Sequence, residues 1–320
     1  MAVTYGLLKK QNAETSNAVI SHFAENTNFL KLAEAEGAQI RQRDQEDADK
    51  LQKGINLALD KGVLSKDFVP EEYITVNVLG KSAEAVADEI LEHVASNAAD
   101  SNVIVLVGQS GTGKGTTVST LQDKLVKEGS ASTVQCWSNG NIFRSVTLLA
   151  ATWCELNCDD KKFNAEKALT KENLASFMNM LEFGKFNGIY DTKINGLGLD
   201  MYVSEVCNTE LKVPKVAKNI PTVAEVTQGE VVLFAAEAIK ILGANGITVL
   251  LEGRAETVNY VRSKNRFCLV LSDESLIGKR RAAQRIMAEA LNSLSSVGGI
   301  DEDAVQKALE SGLDKMVNDL

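Results

Sequence analysis

The sequence predicts a mixed α/β fold, in which a parallel sheet carries helices on both faces and follows a mainly helical N-terminal extension. The first observation is the apolar run VIVLV at residues 103–107, which is typical of a strand buried on both faces of a parallel sheet. The second is that further apolar runs alternate with helical segments; these runs lie at residues 133–136, 247–251 and 267–271. The third is a glycine-rich segment directly after the first run.

The composition is that of an ordinary globular protein. The chain has 320 residues, of which 44% are hydrophobic and 24% are charged. No apolar run reaches the ~18 residues that a membrane-spanning helix needs. The net charge of −9 argues against a non-specific nucleic-acid surface. We therefore expect a soluble, intracellular protein, in the cytoplasm or an organelle, with no membrane span and no nucleic-acid partner.

Residues 1–100 differ from the rest of the chain. They hold 17 acidic and 10 basic residues, and so carry most of the net charge. Their periodicity predicts helices over 15–35 and 39–61, a strand over 73–79 and an amphipathic helix after it. We place a linker at 96–102, which divides an acidic, mainly helical extension from a domain formed by residues 101–320.

The apolar face of the second helix carries Ile40, Leu51, Ile55 and Leu59. Two amphipathic helices bury too little surface to fold alone, so this face must dock elsewhere. It can dock on the chain's own α/β domain or on a partner, including a second copy. We favour the partner, and we expect residues 1–100 to mediate protein binding or self-association. The polar run RQRDQEDADK between these positions is interpreted as a solvated face.

The segment GQSGTGKGTT at residues 108–117 satisfies the pattern G-x-x-x-x-G-K, through Gly108, Gly113 and Lys114. It lies between a buried strand and an amphipathic helix, which is the context of a P-loop in the P-loop NTPases. Backbone N–H groups of such a loop converge on anionic oxygens, and the lysine adds a positive charge for the β- and γ-phosphates. The segment therefore predicts binding of ATP with Mg²⁺. The predicted nucleotide-binding residues are Gly108, Ser110, Gly111, Thr112, Gly113, Lys114, Gly115, Thr116 and Thr117.

The glycine-rich loop has the form Gly-Lys-Gly-Thr at residues 113–116, and the segment WSNGNIFRSVTLLA follows at 137–150. Both resemble the corresponding segments of cytidylate kinases, a family of nucleoside monophosphate kinases with a P-loop. Residues from about 155 to 225 resemble the family's inserted acceptor region. ITVLLEGRAETV at 247–258 and FCLVLSDESLIGKRRAAQR at 267–285 are similar to two later strands and to the helix that leads into the lid. The resemblance spans about residues 103–285.

The resemblance implies transfer of a phosphoryl group from ATP to a nucleoside monophosphate of the CMP or dCMP type. It assigns catalytic roles to Lys114 at the ATP phosphates and to Arg144 and Arg254 at the acceptor phosphate. It assigns Thr116 and Glu252 to Mg²⁺. From the helix leading into the lid, Arg281 and its neighbouring arginines would neutralise the transferring group. The alternative for those arginines is a solvated helical face.

The sequence also departs from the family. Ala255 replaces an acid that contacts the acceptor, Ala224 replaces an acceptor arginine, and Asn139 replaces a serine. The arginine cluster of the lid has no counterpart after Arg285. Two hypotheses stay open: an active kinase with an altered acceptor, or a catalytically impaired kinase-fold protein that acts as a structural or interaction subunit. A weaker third is an ATPase or a kinase of another small hydroxyl compound.

Overall fold

The computed structural model describes residues 3–11, 13–96, 102–127, 133–295 and 300–320. It confirms a mixed α/β fold with a five-stranded parallel sheet and packed helices. The linker predicted at 96–102 lies largely outside the described residues. No helix in the described part of the chain is long and apolar enough to cross a membrane.

The described residues form eight strands. They are β1 (Ile74–Asn77), β2 (Val103–Gly108), β3 (Val134–Trp137), β4 (Leu181–Phe186), β5 (Ile189–Gly196), β6 (Leu199–Tyr202), β7 (Thr248–Glu252) and β8 (Asn265–Val270). The helices before β4 are α1 (Tyr5–Lys10), α2 (Ala13–His22), α3 (Thr27–Asp60), α4 (Ala83–Ser96), α5 (Lys114–Lys127), α6 (Asn139–Asn157), α7 (Ala165–Ala168) and α8 (Lys171–Asn179). Those after β6 are α9 (Val203–Val206), α10 (Pro214–Ala217), α11 (Ile220–Ala244), α12 (Ala255–Val258), α13 (Ser275–Leu294) and α14 (Glu302–Asn318).

The parallel sheet has the strand order β1-β8-β2-β7-β3, with β2 at its centre. Alternate side chains of β2 enter different cores. Val103, Val105 and Val107 pack in the cluster that contains α6 and α11, while Ile104 and Leu106 pack with α4 and α5. The strand is continuously apolar because both of its faces are covered by helices. The predicted strands at 133–136, 247–251 and 267–271 are present as β3, β7 and β8.

The region between about 155 and 225 is inserted between α6 and α11. It contains short helices and the antiparallel sheet β4-β5-β6. Leu174, Phe177 and Ile194 from this region join the core cluster of α6 and α11. The insertion is therefore packed on the α6 side of the main sheet, beside the end of β3.

The N-terminal region, as far as the structure describes it between residues 3 and 96, packs within the chain. β1 pairs in parallel with β8 at the sheet edge, with Ile74 opposite Phe267. Helix α3 lies against α13 where Gly37 approaches Gly278, and against α11 where Ala58 approaches Gly229. The favoured prediction, that the apolar faces of this region dock on a partner chain, is therefore corrected. Ile55 is buried against the chain's own helices, and Ile40 and Leu59 pack there half-buried, which removes the reason for which we expected a partner.

Helix α3 also corrects the predicted helix boundaries. The sequence suggested helices over 15–35 and 39–61, whereas the structure has a short α2 and then one helix from Thr27 to Asp60. The helix begins after Asn26, whose side-chain oxygen accepts hydrogen bonds from the N–H groups of Asn28 and Phe29. Gly37 does not interrupt it, because that glycine lies in the close crossing with α13.

Candidate functional site

The glycine-rich loop, residues 108–113, connects the end of β2 to the first residue of α5, Lys114. Three of its glycines have positive φ angles: 147° at Gly108, 85° at Gly111 and 83° at Gly113. A side chain at Gly108 would also overlap the carbonyl oxygen of Leu269 in the neighbouring strand segment. The glycines are therefore required by the backbone, which turns tightly from the carboxyl end of β2 into the N-terminus of α5.

Lys114 folds back over this loop. Its ammonium group donates hydrogen bonds to the carbonyl oxygens of Gly108, at 2.8 Å, and Gln109, at 2.9 Å. Burial lowers the pKa of Lys114 from its ordinary value, and Arg254 lowers it further, while Glu252 acts in the opposite direction. A positive charge is thus held at the loop by backbone carbonyls, which a stronger anionic ligand can replace.

The two residues assigned to Mg²⁺ lie at the start of α5 and at the neighbouring strand end. Glu252 is the last residue of β7, and its Oε2 would lie 3.7 Å from a Cβ atom placed on Gly115. Thr116 is exposed on the first turn of α5, whereas Thr117 is buried. The part of the chain that the structure describes has no cluster of three or more His, Cys, Asp or Glu suited to a metal.

Asp44, in the middle of α3, is bound directly to the glycine-rich loop. Its Oδ2 accepts from the backbone N–H of Ser110 at 2.7 Å, and its Oδ1 accepts from the Ser110 hydroxyl at 2.7 Å. Arg254 also donates to Oδ1, at 2.9 Å, and the Asp44 side chain is only 11% exposed. Burial raises the pKa of this carboxyl, but the hydrogen bonds from Arg254 and Ser110 outweigh it and hold the pKa well below its usual range. Asp44 is therefore an ionised carboxylate at the loop.

The predicted arginines occupy three different environments. Arg254 follows β7 and contacts Asp44 at the loop. Arg144 lies on α6, where its guanidinium donates to the Asn141 side chain at 3.2 Å. Arg281 forms an ion pair with the buried carboxylate of Glu36 on α3, at 3.9 Å.

Of the neighbouring arginines on α13, Arg285 also pairs with Glu36. Arg280, instead, donates to the carbonyl oxygen of Gly111 at 3.3 Å. The arginine that reaches the loop from this helix is thus Arg280, whereas Arg281 helps to hold α13 against α3. The role assigned to Arg281 at the transferring group stays a prediction.

A cavity of about 460 Å³ opens beside the loop. Its walls are the middle of α3, the end of β2 with the first loop residues, the start of α12 and the start of α13. Ile40, Arg41 and Asp44 line it from α3, opposite Arg254 and Cys268. Sequence reasoning missed the residues of α3, because a mixed charged run on a helix has the same pattern whether it faces solvent or a site.

A second, smaller pocket of about 110 Å³ lies between the end of β3 and the antiparallel sheet. Trp137 packs edge-on against Phe183 with ring centroids 5.5 Å apart, and Phe183 stacks on Tyr190. Asp191 accepts hydrogen bonds from the backbone N–H and hydroxyl of Ser204 at the same wall. The pocket therefore combines an aromatic wall with a carboxylate that Ser204 holds in place.

No family model matches the chain, and neither a curated protein nor a solved structure does. The class of protein must therefore be argued from the geometry of the glycine-rich loop and from the sequence motifs.

Proposed function

We propose that this chain is a P-loop NTPase-type protein that binds the phosphates of ATP, together with Mg²⁺, at residues 108–117. The observation that carries the proposal is the passage from a central parallel strand, through three glycines with positive φ, into a helix that begins with Lys114. Backbone N–H groups at such a helix N-terminus favour anionic oxygens. The ligand implies an intracellular location, since ATP is an intracellular cosubstrate.

The proposal assigns a task to each group near the loop. Lys114 exchanges its two carbonyl partners for β- and γ-phosphate oxygens, and Arg254 faces the acceptor side. Glu252 and Thr116 would hold Mg²⁺, which supplies positive charge to the β- and γ-phosphates when bound. Within this proposal the chain is a divergent relative of cytidylate kinases.

Binding is tested by calorimetry with Mg-ATP on the wild type and Lys114→Ala. A hydrogen bond to a charged group contributes about 1.5–3 kcal/mol, so we expect affinity to fall at least tenfold. Lys127→Ala is the matched control, because Lys127 is exposed at the other end of α5, roughly 20 Å away. Measurable binding of equal affinity by the wild type and Lys114→Ala contradicts the proposal.

Phosphoryl transfer to a nucleoside monophosphate is the first candidate activity, and the pocket beside Trp137 supports it. The second candidate is a catalytically impaired subunit, which is favoured by Ala224 and Ala255 at acceptor positions. Assays of ADP release with CMP, dCMP and UMP separate them. Because acceptor contacts are lost, we expect turnover well below the roughly 1–100 per second of typical kinases. Robust turnover with one acceptor establishes the kinase, and ADP release without any acceptor indicates an ATPase.

A further inference from the structure

We propose that helix α3 is an inhibitory strap, whose Asp44 carboxylate takes the place of a phosphate group at the glycine-rich loop and must leave before a nucleoside triphosphate binds. The inference rests on the proposed function, and it adds the regulation of that site by the chain's own N-terminal region.

The donors that hold Asp44 are those that a phosphate needs. They are a backbone N–H and a hydroxyl from Ser110, and a guanidinium from Arg254, all within 2.9 Å of the carboxylate oxygens. N–H groups of a glycine-rich loop and arginine side chains bind carboxylates and phosphates by the same charge-assisted hydrogen bonds. Asp44 also joins the loop to the arginine proposed for the acceptor side. Its carboxylate therefore lies between the two anions that a phosphoryl transfer would bring together.

The strap is fixed on both sides of Asp44. Toward its N-terminus, Gly37 lies in the close crossing with α13. Toward its C-terminus, Gly54 packs on the Gln228 side chain of α11. At 1.5 Å per residue these two contacts are roughly 10 Å and 15 Å along the helix from Asp44. Release of the carboxylate therefore requires a rotation of the Asp44 side chain or a local bend of the helix, and the strap stays docked.

The same stretch of the helix also carries positive charge to the loop. Arg43 places Nη2 at 3.4 Å from the Ser110 hydroxyl oxygen, and Arg41 lines the cavity. Once Asp44 leaves, these arginines remain beside the vacated position. Asp44 is hydrogen-bonded to Ser110 of the loop, whereas Asp47 approaches only Arg254, at 4.0 Å, so removing the Asp44 side chain tests the strap specifically.

The test measures the affinity for Mg-ATP, and for inorganic tripolyphosphate, of the wild type, Asp44→Ala and Asp47→Ala. Asp47 is the matched control, because it is one turn further along α3, 4.0 Å from Arg254 and 48% exposed, with no hydrogen bond to the loop. In the closed state Asp44 occupies the loop, and only open molecules, from which it has moved away, bind the ligand. The apparent affinity is therefore the affinity of the open state multiplied by the fraction of molecules that are open. We expect Asp44→Ala to bind both ligands at least about tenfold more tightly, and Asp47→Ala to change affinity by less than about threefold.

Each outcome decides the matter. Binding by Asp44→Ala that is no tighter than that of the wild type overturns the inhibitory role of Asp44. Equal tightening by Asp44→Ala and Asp47→Ala also overturns it, because the gain in affinity then comes from the loss of any nearby negative charge. In that case Lys114→Ala still reports on the proposed function by itself. If neither the wild type nor Asp44→Ala binds either ligand, both proposals fail. Asp44→Asn, which keeps the shape of the side chain and removes its charge, replaces Asp44→Ala should the alanine variant not fold, with the same expected direction.

Discussion

The crossing of α3 and α13 should not tolerate a methyl group at Gly278. A Cβ atom there would overlap the carbonyl oxygen of Ala33 and lie 2.9 Å from the backbone nitrogen of Gly37. Both are backbone atoms and cannot rotate away, so the two helices must separate. Overpacking of this kind costs about 1–3 kcal/mol, and a clash with backbone belongs at the upper end. Replacing glycine by alanine in a helix returns about 1 kcal/mol. We therefore expect Gly278→Ala to lower the free energy of unfolding by about 2 kcal/mol.

Urea unfolding followed by circular dichroism measures this change. Gly243→Ala in α11 is the control, because nothing lies within 4 Å of a Cβ atom placed there. It should be neutral or stabilise by up to about 1 kcal/mol through helix propensity alone. If both variants are equally stable, α3 does not dock on α13 as described.

Three further predictions concern the N-terminal region. The fragment 101–320 should be insoluble or unfolded, because it lacks β1 at the sheet edge and helix α3, which covers α13. A soluble, folded fragment would show that residues 1–100 are dispensable for folding. Asn26→Ala removes the capping hydrogen bonds of α3 and should lower the free energy of unfolding, measured by thermal unfolding, by about 1 kcal/mol. Ser138→Ala, at a cap position without such a bond, should leave it almost unchanged. Equal losses in the two variants would contradict the capping role of Asn26. The folded protein lowers the pKa of Asp44 below its ordinary value of about 3.9, so the ionised carboxylate stabilises the fold above that pH. The difference in free energy of unfolding between the wild type and Asp44→Ala should therefore be constant from about pH 5 to 8 and shrink below about pH 4. A difference that grows on acidification would refute the ion pair.

The main sheet could be predicted because its signals are local. The apolar run of β2 reports burial on both faces, and the loop after it carries its own glycine pattern. The start of α5 at Lys114 follows from the same few residues. In each case neighbouring side chains fix the structure, so that a short stretch of sequence suffices.

The position of α3 could not be predicted in the same way. Asp44 meets Ser110 across 66 positions of sequence, and nothing in the run RQRDQEDADK distinguishes Asp44 from its charged neighbours. Glu36 likewise pairs with arginines of α13 that lie far along the chain. Long-range contacts of charged residues depend on where whole helices dock. That docking depends on apolar contacts and glycine crossings between helices far apart in the chain, which no short stretch of sequence reveals.

The most direct test of the account is a structure of the full chain with Mg²⁺ and a non-hydrolysable ATP analogue. We predict density for the β- and γ-phosphates at the glycine-rich loop, with the Lys114 ammonium group moved from the Gly108 and Gln109 carbonyl oxygens to phosphate oxygens. Phosphates bound elsewhere on the protein, with Lys114 still on those two carbonyls, would contradict the proposal that this loop is a nucleotide site.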